Sequence, residues 1–220
     1  MNTELLRKVV ARIDSVAAHA DFIVCLSRPF VSIQLAGGLN DTSSRLGGHP
    51  YLPRSYQWPP RRVGEYRFLG QINFAEIVDR PDTLPDTGLL SLFYSFDEAG
   101  ELFWGDEGYV LGFYWPDLSE LSIFDAPINN PVNPQAISLV GGVDIPRHEE
   151  LRSDWPFDSD ALYELTDALD ESDAYLLGYP SFNSLAYDPT PKGHWVSLLT
   201  VCSLDEFDWC WHDGGKLMVF

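Results

Sequence analysis

Basic residues are scarce in this chain: 14 Lys and Arg stand against 33 Asp and Glu, a formal net charge of −19. That balance opposes long-range attraction to phosphate backbones and anionic lipid heads, so neither nucleic acid nor a membrane surface is expected as a partner. Cysteine is almost absent. Cys25, Cys202 and Cys210 form no Cys-x-x-Cys pair, and an odd number cannot close into a full set of disulfides, which points to a reducing, cytoplasmic setting. Long apolar runs are missing too. Arg7, Lys8, Arg12, Asp14 and Asp21 break up the N-terminal stretch, so neither a signal-peptide core nor a bilayer span is expected.

Chemical motifs are equally sparse. There is no Gly-x-Gly-x-x-Gly, no Gly-x-x-x-x-Gly-Lys-Ser/Thr and no Gly-x-Ser-x-Gly, and His19, His49, His148, His194 and His212 show no metal-ligand spacing. The expectation is therefore no catalytic residue, no metal and no cofactor. The best local cluster is Cys210 with His212-Asp213, where an Asp-oriented imidazole stands near a thiol, but Trp209 and Trp211 favour a packed thiol there.

What the chain has is core material: 45% of its 220 residues are hydrophobic and 14% aromatic, enough for a single domain over 1–220. Leu5, Leu6, Val9, Val10, Ile13, Val16, Ala17 and Ala20 recur at helical spacing and predict one amphipathic N-terminal helix. A further helix is predicted after Asp158 or Ser159, with Ala161, Leu162, Leu165, Ala168 and Leu169 on its apolar face. Its C-terminal end carries Asp170, Glu171 and Asp173 where the helix dipole prefers cations, so this end is expected to fray or to be held by outside contacts. Extended segments are read at Phe30–Leu35, Tyr66–Phe74, Leu89–Phe96, Tyr109–Trp115, Ala136–Val140, Val196–Val201 and Lys216–Phe220. Long helices do not alternate with these strands, which sets aside a parallel α/β sheet.

One phrase occurs twice, as Leu46-Gly47-Gly48-His49-Pro50 and as Leu176-Leu177-Gly178-Tyr179-Pro180, 130 residues apart. The same offset lays Phe68–Asn73 over Leu198–Ser203, and an offset of 127 lays Gly88–Phe93 over Gly215–Phe220. The fold expected is α+β, mostly antiparallel sheet built from two duplicated strand-loop-strand units (46–93 and 176–220), with the N-terminal helix and one further helix. Gly47, Gly48 and Gly178 are read as turn residues with positive φ or close backbone approach.

In order, SRLGGHPYLP (44–53), WPP (58–60), FLGQINFAEI (68–77) and LPDTGLLSLFY (84–94) resemble the YwqG-like bacterial family. LLGYPS (176–181) and LLTVCSLDEFDWCWHDGGKLMVF (198–220) are similar to its closing block, so the resemblance spans roughly Ser44 to Phe220. It implies a fold and no activity, because that family has no known function. This chain departs from the family by reading His212-Asp213-Gly214-Gly215 where Gly-Asp-Ala-Gly is usual, and by stopping at Phe220 where the family generally continues.

Two functions are expected from these features. The first is an acidic, non-catalytic interaction module of antidote or adaptor type, whose charge steers a basic protein and whose loops, such as Trp115–Asp125, are rich in exposed aromatic and acidic residues. The alternative is a small-ligand-binding protein or metal-assisted enzyme with a site where the two repeats join, using His49, His194 or His212. Candidate ligand-binding residues are Arg45, His49, Trp58, Gln71 and Asn73, with Trp211, His212 and Asp213 beside them. Under the repeat, Gln71 and Asn73 correspond to Val201 and Ser203, and His49 to Tyr179, so the two halves differ in polarity.

Overall fold

The computed structural model describes residues 2–99, 101–102, 105–127, 132–147, 154–169, 172–181, 188–211 and 214–220. Its helices are α1 (Thr3–Val10), α2 (Ala20–Leu26) and α3 (Ser159–Asp167). The strands are β1 (Arg28–Leu35), β2 (Arg45–Leu46), β3 (Tyr51–Pro53), β4 (Glu65–Asn73), β5 (Leu89–Phe96), β6 (Val110–Trp115), β7 (Leu121–Ile123), β8 (Gln135–Asp144), β9 (Ala174–Leu177), β10 (Leu199–Cys202) and β11 (Lys216–Val219). This is an α+β fold of mostly antiparallel sheet. The chain divides into two compact units, residues 1–34, 78–81 and 139–220, and residues 35–77 and 82–138.

In the unit that holds both chain ends, Asn2 caps α1 by accepting the Leu5 N–H at 2.9 Å. The single helix predicted for residues 5–20 breaks after Val10, and α2 begins only at Ala20, giving three helices where the sequence predicts two. Past Val10 the chain tightens into turns, with the Arg12 and Ile13 N–H groups on Val9 O and Val10 O, and Ser15 donates its hydroxyl to Glu164 of α3. The break lets Val16 and Ile23 join Leu6 and Val10 in one fully buried cluster with Leu165 of α3. Asp158 caps α3 as anticipated, accepting the Ala161 N–H at 3.0 Å. At the other end Arg147 donates from Nη1 to the Leu169 carbonyl at 3.2 Å, a cation held against the acidic helix terminus. Asp170 and Glu171 lie outside the described residues.

The sheet of this unit runs β11-β10-β9-β1-β8. Tyr175 of β9 is flanked by Ser32 of β1 and Thr200 of β10, and Leu199 faces both Leu176 and Val219. In the other unit the order is β8-β2-β4-β5-β6, with β3 and β7 forming a separate pair. Arg45 faces Gln71, which faces Ser91. Between Phe68 and Gly70 the β4–β5 register slips by one at Leu69, a β-bulge. Leu52, Tyr66, Phe68 and Phe93 form the core here, with Tyr56, Trp58, Phe113, Trp115 and Phe124 packed against it. The Trp115–Asp125 stretch is thus no simple exposed loop: Leu121 is buried in β7, and Phe124 stacks on Trp58 at 5.9 Å. The strands missed from sequence, β2, β3, β7 and β9, span two to four residues, too few to show a period.

Both Leu-x-Gly-x-Pro turns contain two successive left-handed residues: Gly47 (φ 66°) and Gly48 (φ 75°), and Leu177 (φ 60°) and Gly178 (φ 70°). A Cβ on Gly48 would stand 2.6 Å from Pro134, and one on Gly178 would stand 2.8 Å from Asp144 Oδ2, so both positions need glycine for space as well as for φ. The Gly47 N–H reaches Leu69 O at 2.9 Å and the Leu177 N–H reaches Leu198 O at 3.1 Å.

Candidate functional site

Three of the expected ligand-binding residues converge on the backbone of residues 40–44. Arg45 is only 2% exposed. It donates from Nη1 to the Asn40 and Asp41 carbonyls at 3.1 and 2.9 Å, and from Nη2 to His49 O. Burial pulls its pKa down, and Asp41 opposes that shift. Gln71, fully buried, donates to Asp41 O (3.2 Å) and Ser43 O (2.9 Å) and accepts the Tyr51 N–H (3.0 Å). Asn73 donates to Thr42 O at 3.1 Å and accepts the Ala75 N–H at 3.2 Å. These side chains therefore hold a loop of their own chain through backbone partners, although Arg45 Nε is buried without a hydrogen-bond partner among the described residues.

The remaining candidates are dispersed. His49 is half-buried, its Nδ1 3.7 Å from Asp125 Oδ1. Trp58 donates to Tyr66 O at 3.1 Å and packs edge-on to Phe93 at 5.2 Å. Trp211 belongs to the other compact unit, buried, with its indole N–H on Cys202 O at 3.0 Å. His212 and Asp213 lie outside the described residues.

The second Leu-x-Gly-x-Pro turn borders an open cleft with enclosed room for about one water molecule, whose wall includes Phe30, Asp144, Arg147, Tyr175, Tyr179 and Ser181. Strand β8 ends on Asp144, whose side chain is 8% exposed. Its Oδ2 accepts the Tyr179 N–H at 2.9 Å, and Oδ1 lies 3.4 Å from Arg147 Nε. Burial raises the Asp144 pKa against the pull of that N–H and of Arg147. Tyr175 donates its hydroxyl to Tyr179 O at 2.8 Å, and Tyr179 donates its own to Leu26 O at 2.6 Å. The Arg28 guanidinium sits 4.1 Å from the centroid of the Tyr179 ring. Lys216 Nζ donates to Ser181 Oγ at 2.7 Å. Chemically this wall sets a buried carboxylate, engaged by an N–H and a guanidinium, among hydroxyls that already have hydrogen-bond partners.

Asp144 and Arg147 belong to no motif, and sequence reasoning missed them. A signal for the two tyrosines was present, since the offset of 130 residues in the sequence aligns Tyr175 with Arg45 and Tyr179 with His49.

Among the described residues no group of three or more His, Cys, Asp or Glu side chains gathers as a metal site, and no helix is long and apolar enough to cross a membrane. None of the three cysteines is in a disulfide. No curated protein matches the chain in sequence. Residues 44–220, covering β2 through β11 and both turns, match one family along their whole length, and the chain belongs to it: the domain of unknown function DUF1963.

Proposed function

We propose that the protein is a non-catalytic interaction module that binds a basic protein partner through α3. One observation carries this reading. Asp160, Tyr163, Glu164 and Asp167 are all exposed and spaced as one stripe of α3, a helix without a single basic residue, and Tyr163 is 67% exposed. Carboxylates flanking an open aromatic ring suit an arginine-rich surface, which gains both charge pairing and stacking. Internal use of the cations sharpens the field, since Arg45 is buried and Arg61 and Arg67 lie over the Tyr66 and Phe96 rings.

The same reading takes the chain as a YwqG-like member of its family, cytoplasmic, and built from two duplicated strand-loop-strand units. The paired left-handed turns support the duplication, as do the matching Phe74 N–H to Gly88 O and Ser203 N–H to Gly215 O bonds, both 3.0 Å. Cysteines outside any disulfide agree with a reducing compartment.

The test compares capture of basic proteins from lysate by three full-length chains at low and high salt. One is wild type, one carries Asp160→Asn, Glu164→Gln and Asp167→Asn, and one neutralises the exposed Asp82, Asp86 and Glu98 instead. The expected result is a basic partner retained at low salt, released at high salt and lost only with the α3 variant. Equal loss from both variants would reduce the effect to net charge and sink the reading.

A further inference from the structure

In the unit of residues 35–77 and 82–138 the sheet ends on β6, a strand that the α3 surface does not use. We propose that the outer edge of β6 takes an added strand from a partner, an extended basic peptide with an aromatic residue opposite Gly112. Three observations converge on that occupant.

The first is an open row of backbone groups. The Ser95 N–H bonds to Tyr109 O at 2.8 Å, and the β5–β6 register continues that phase, so Leu111, Phe113 and Trp115 turn their N–H and C=O groups towards β5. Val110, Gly112 and Tyr114 therefore turn theirs outwards, where no strand pairs with them among the described residues. Sheets ordinarily blunt such an edge with a lysine, a proline or a bulge. The strand at the other end of the order, β11, begins with Lys216, whereas β6 has no charged residue, no proline and an unbroken register with β5.

The second is Gly112 itself. Glycine weakens a strand interior, and at this position neither conformation nor space demands it. Its φ is not left-handed, and an added Cβ would come no closer than 3.4 Å to its nearest neighbour, Leu92 Cδ2, which is an ordinary contact. A bare position in the middle of an outward-facing edge leaves room for a side chain of an opposing strand. An aromatic ring laid across such a glycine restores the packing that the missing side chain forfeits.

The third is charge. Residues 81–146 contain eleven Asp and Glu and no Lys, Arg or His. Four of these acids flank β6, Asp106 and Glu107 before it and Asp117 and Glu120 after it, all exposed. Arg61 reaches in from outside that stretch, donating to the Gly108 carbonyl and the Tyr66 hydroxyl at 2.8 Å each. Were β6 to pair antiparallel with β6 of a second copy, the acidic end of each would lie against the acidic end of the other, so the edge repels itself. A strand with Lys or Arg at both ends meets opposite charge at both.

The experiment adds the peptide Arg-Lys-Thr-Val-Phe-Val-Thr-Lys-Arg to the full chain, with affinity from calorimetry and amide proton exchange followed by NMR. The proposal expects saturable binding that slows exchange at Val110, Gly112 and Tyr114, the amides left open in the free chain. Of two copies of the peptide methylated on alternate backbone nitrogens, in opposite phases and with charge intact, one binds at least about tenfold more weakly and the other like the parent. Glu107→Gln combined with Glu120→Gln weakens binding at low salt and not at high salt. Gly112→Val keeps the ladder to β5 and weakens binding about tenfold while raising the urea midpoint, which separates lost binding from lost fold. Absence of saturable binding, equal affinity for the two methylated phases, or indifference to the Glu→Gln pair at low salt overturns the proposal. So does a dimer in which the Val110, Gly112 and Tyr114 amides are protected before peptide is added, since the occupant is then a second copy. The methylated peptides are tested on the wild-type chain, so that arm holds whether or not a variant folds. The α3 substitutions leave peptide affinity unchanged, so this edge and the α3 surface stand or fall separately.

Discussion

At Arg45 and at Tyr175, the residue before the Leu-x-Gly-x-Pro turn sends its side chain to the carbonyl four residues on, His49 O in one case and Tyr179 O in the other. The donor is a guanidinium in the first turn and a phenol in the second. Arg45 has donors to spare and gathers two further carbonyls from the preceding loop, while Tyr175 has a single O–H and leaves an open cleft at its ring. Beneath Gly48 the first turn packs Pro134; beneath Gly178 the second packs Asp144. One backbone shape is thus locked by a dense polar network in one unit and by a sparse one in the other.

The comparison breaks most clearly at its two donors. Arg45→Met removes three charge-assisted hydrogen bonds and takes the guanidinium donor from the His49 carbonyl, while Asn40 O keeps the Ser43 N–H and Asp41 O keeps Gln71, and we expect a loss of roughly 3–5 kcal/mol. Tyr175→Phe removes one hydrogen bond and should cost only about 1 kcal/mol, both read from urea midpoints. Similar costs at the two positions would mean that the networks differ in appearance only.

The opposite members of the two pairs sharpen the contrast, because a difference in sign is expected. Gln71→Leu takes the partner from Ser43 O and from the Tyr51 N–H, while Asp41 O keeps Arg45, and should cost about 2–3 kcal/mol. Thr200→Val removes a buried hydroxyl that has no partner among the described residues and should be neutral or stabilising by up to about 1 kcal/mol. A clear loss on Thr200→Val would show that this hydroxyl is matched after all.

The smallest effect concerns Asp144, which has Pro134 as its counterpart. Burial raises its pKa in the folded chain above the ordinary 3.8, so the folded state holds this proton more tightly than the unfolded one. Its contribution to stability therefore grows as pH falls through the raised value towards 3.8 and shrinks as pH rises. Urea midpoints of wild type and Asp144→Asn should shift in favour of wild type on acidification. A gap that stays constant or moves the other way would contradict that sign.

Much of the fold was legible because it depends on patterns that composition carries. The α3 cap, the long strands β4, β5 and β6 and the positive φ at Gly47, Gly48 and Gly178 all follow from local residue preferences. The Leu69 bulge was not legible. An offset of 130 aligns Gln71 with Val201, yet the pairing places Gln71 and Thr200 in the same position opposite Arg45 and Tyr175, one residue away. A bulge adds a residue without changing composition, so a count along the sequence cannot see it. The candidate site was read only in part for a related reason. Arg45, Gln71 and Asn73 have the polarity of binding residues, but whether a buried donor meets a ligand or its own backbone is decided by the path of residues 40–44. Asp144 and Arg147 come from the end of a strand and the segment beyond it, and nothing local marks either.

One unit draws on both ends of the chain while the other is nearly continuous, and this sets an order of events during synthesis. Ser32 in β1 lies 140 residues before Ser172, at the approach to the strand that β1 pairs with. At ribosomal speed that separation is roughly 10–30 s. Through this interval α1, α2 and β1 have left the ribosome without a finished sheet, while residues 35–138 can already close their own strands. The nascent N-terminal segment, with Val31 and Ile33 still uncovered, is therefore where chaperones have the most to protect.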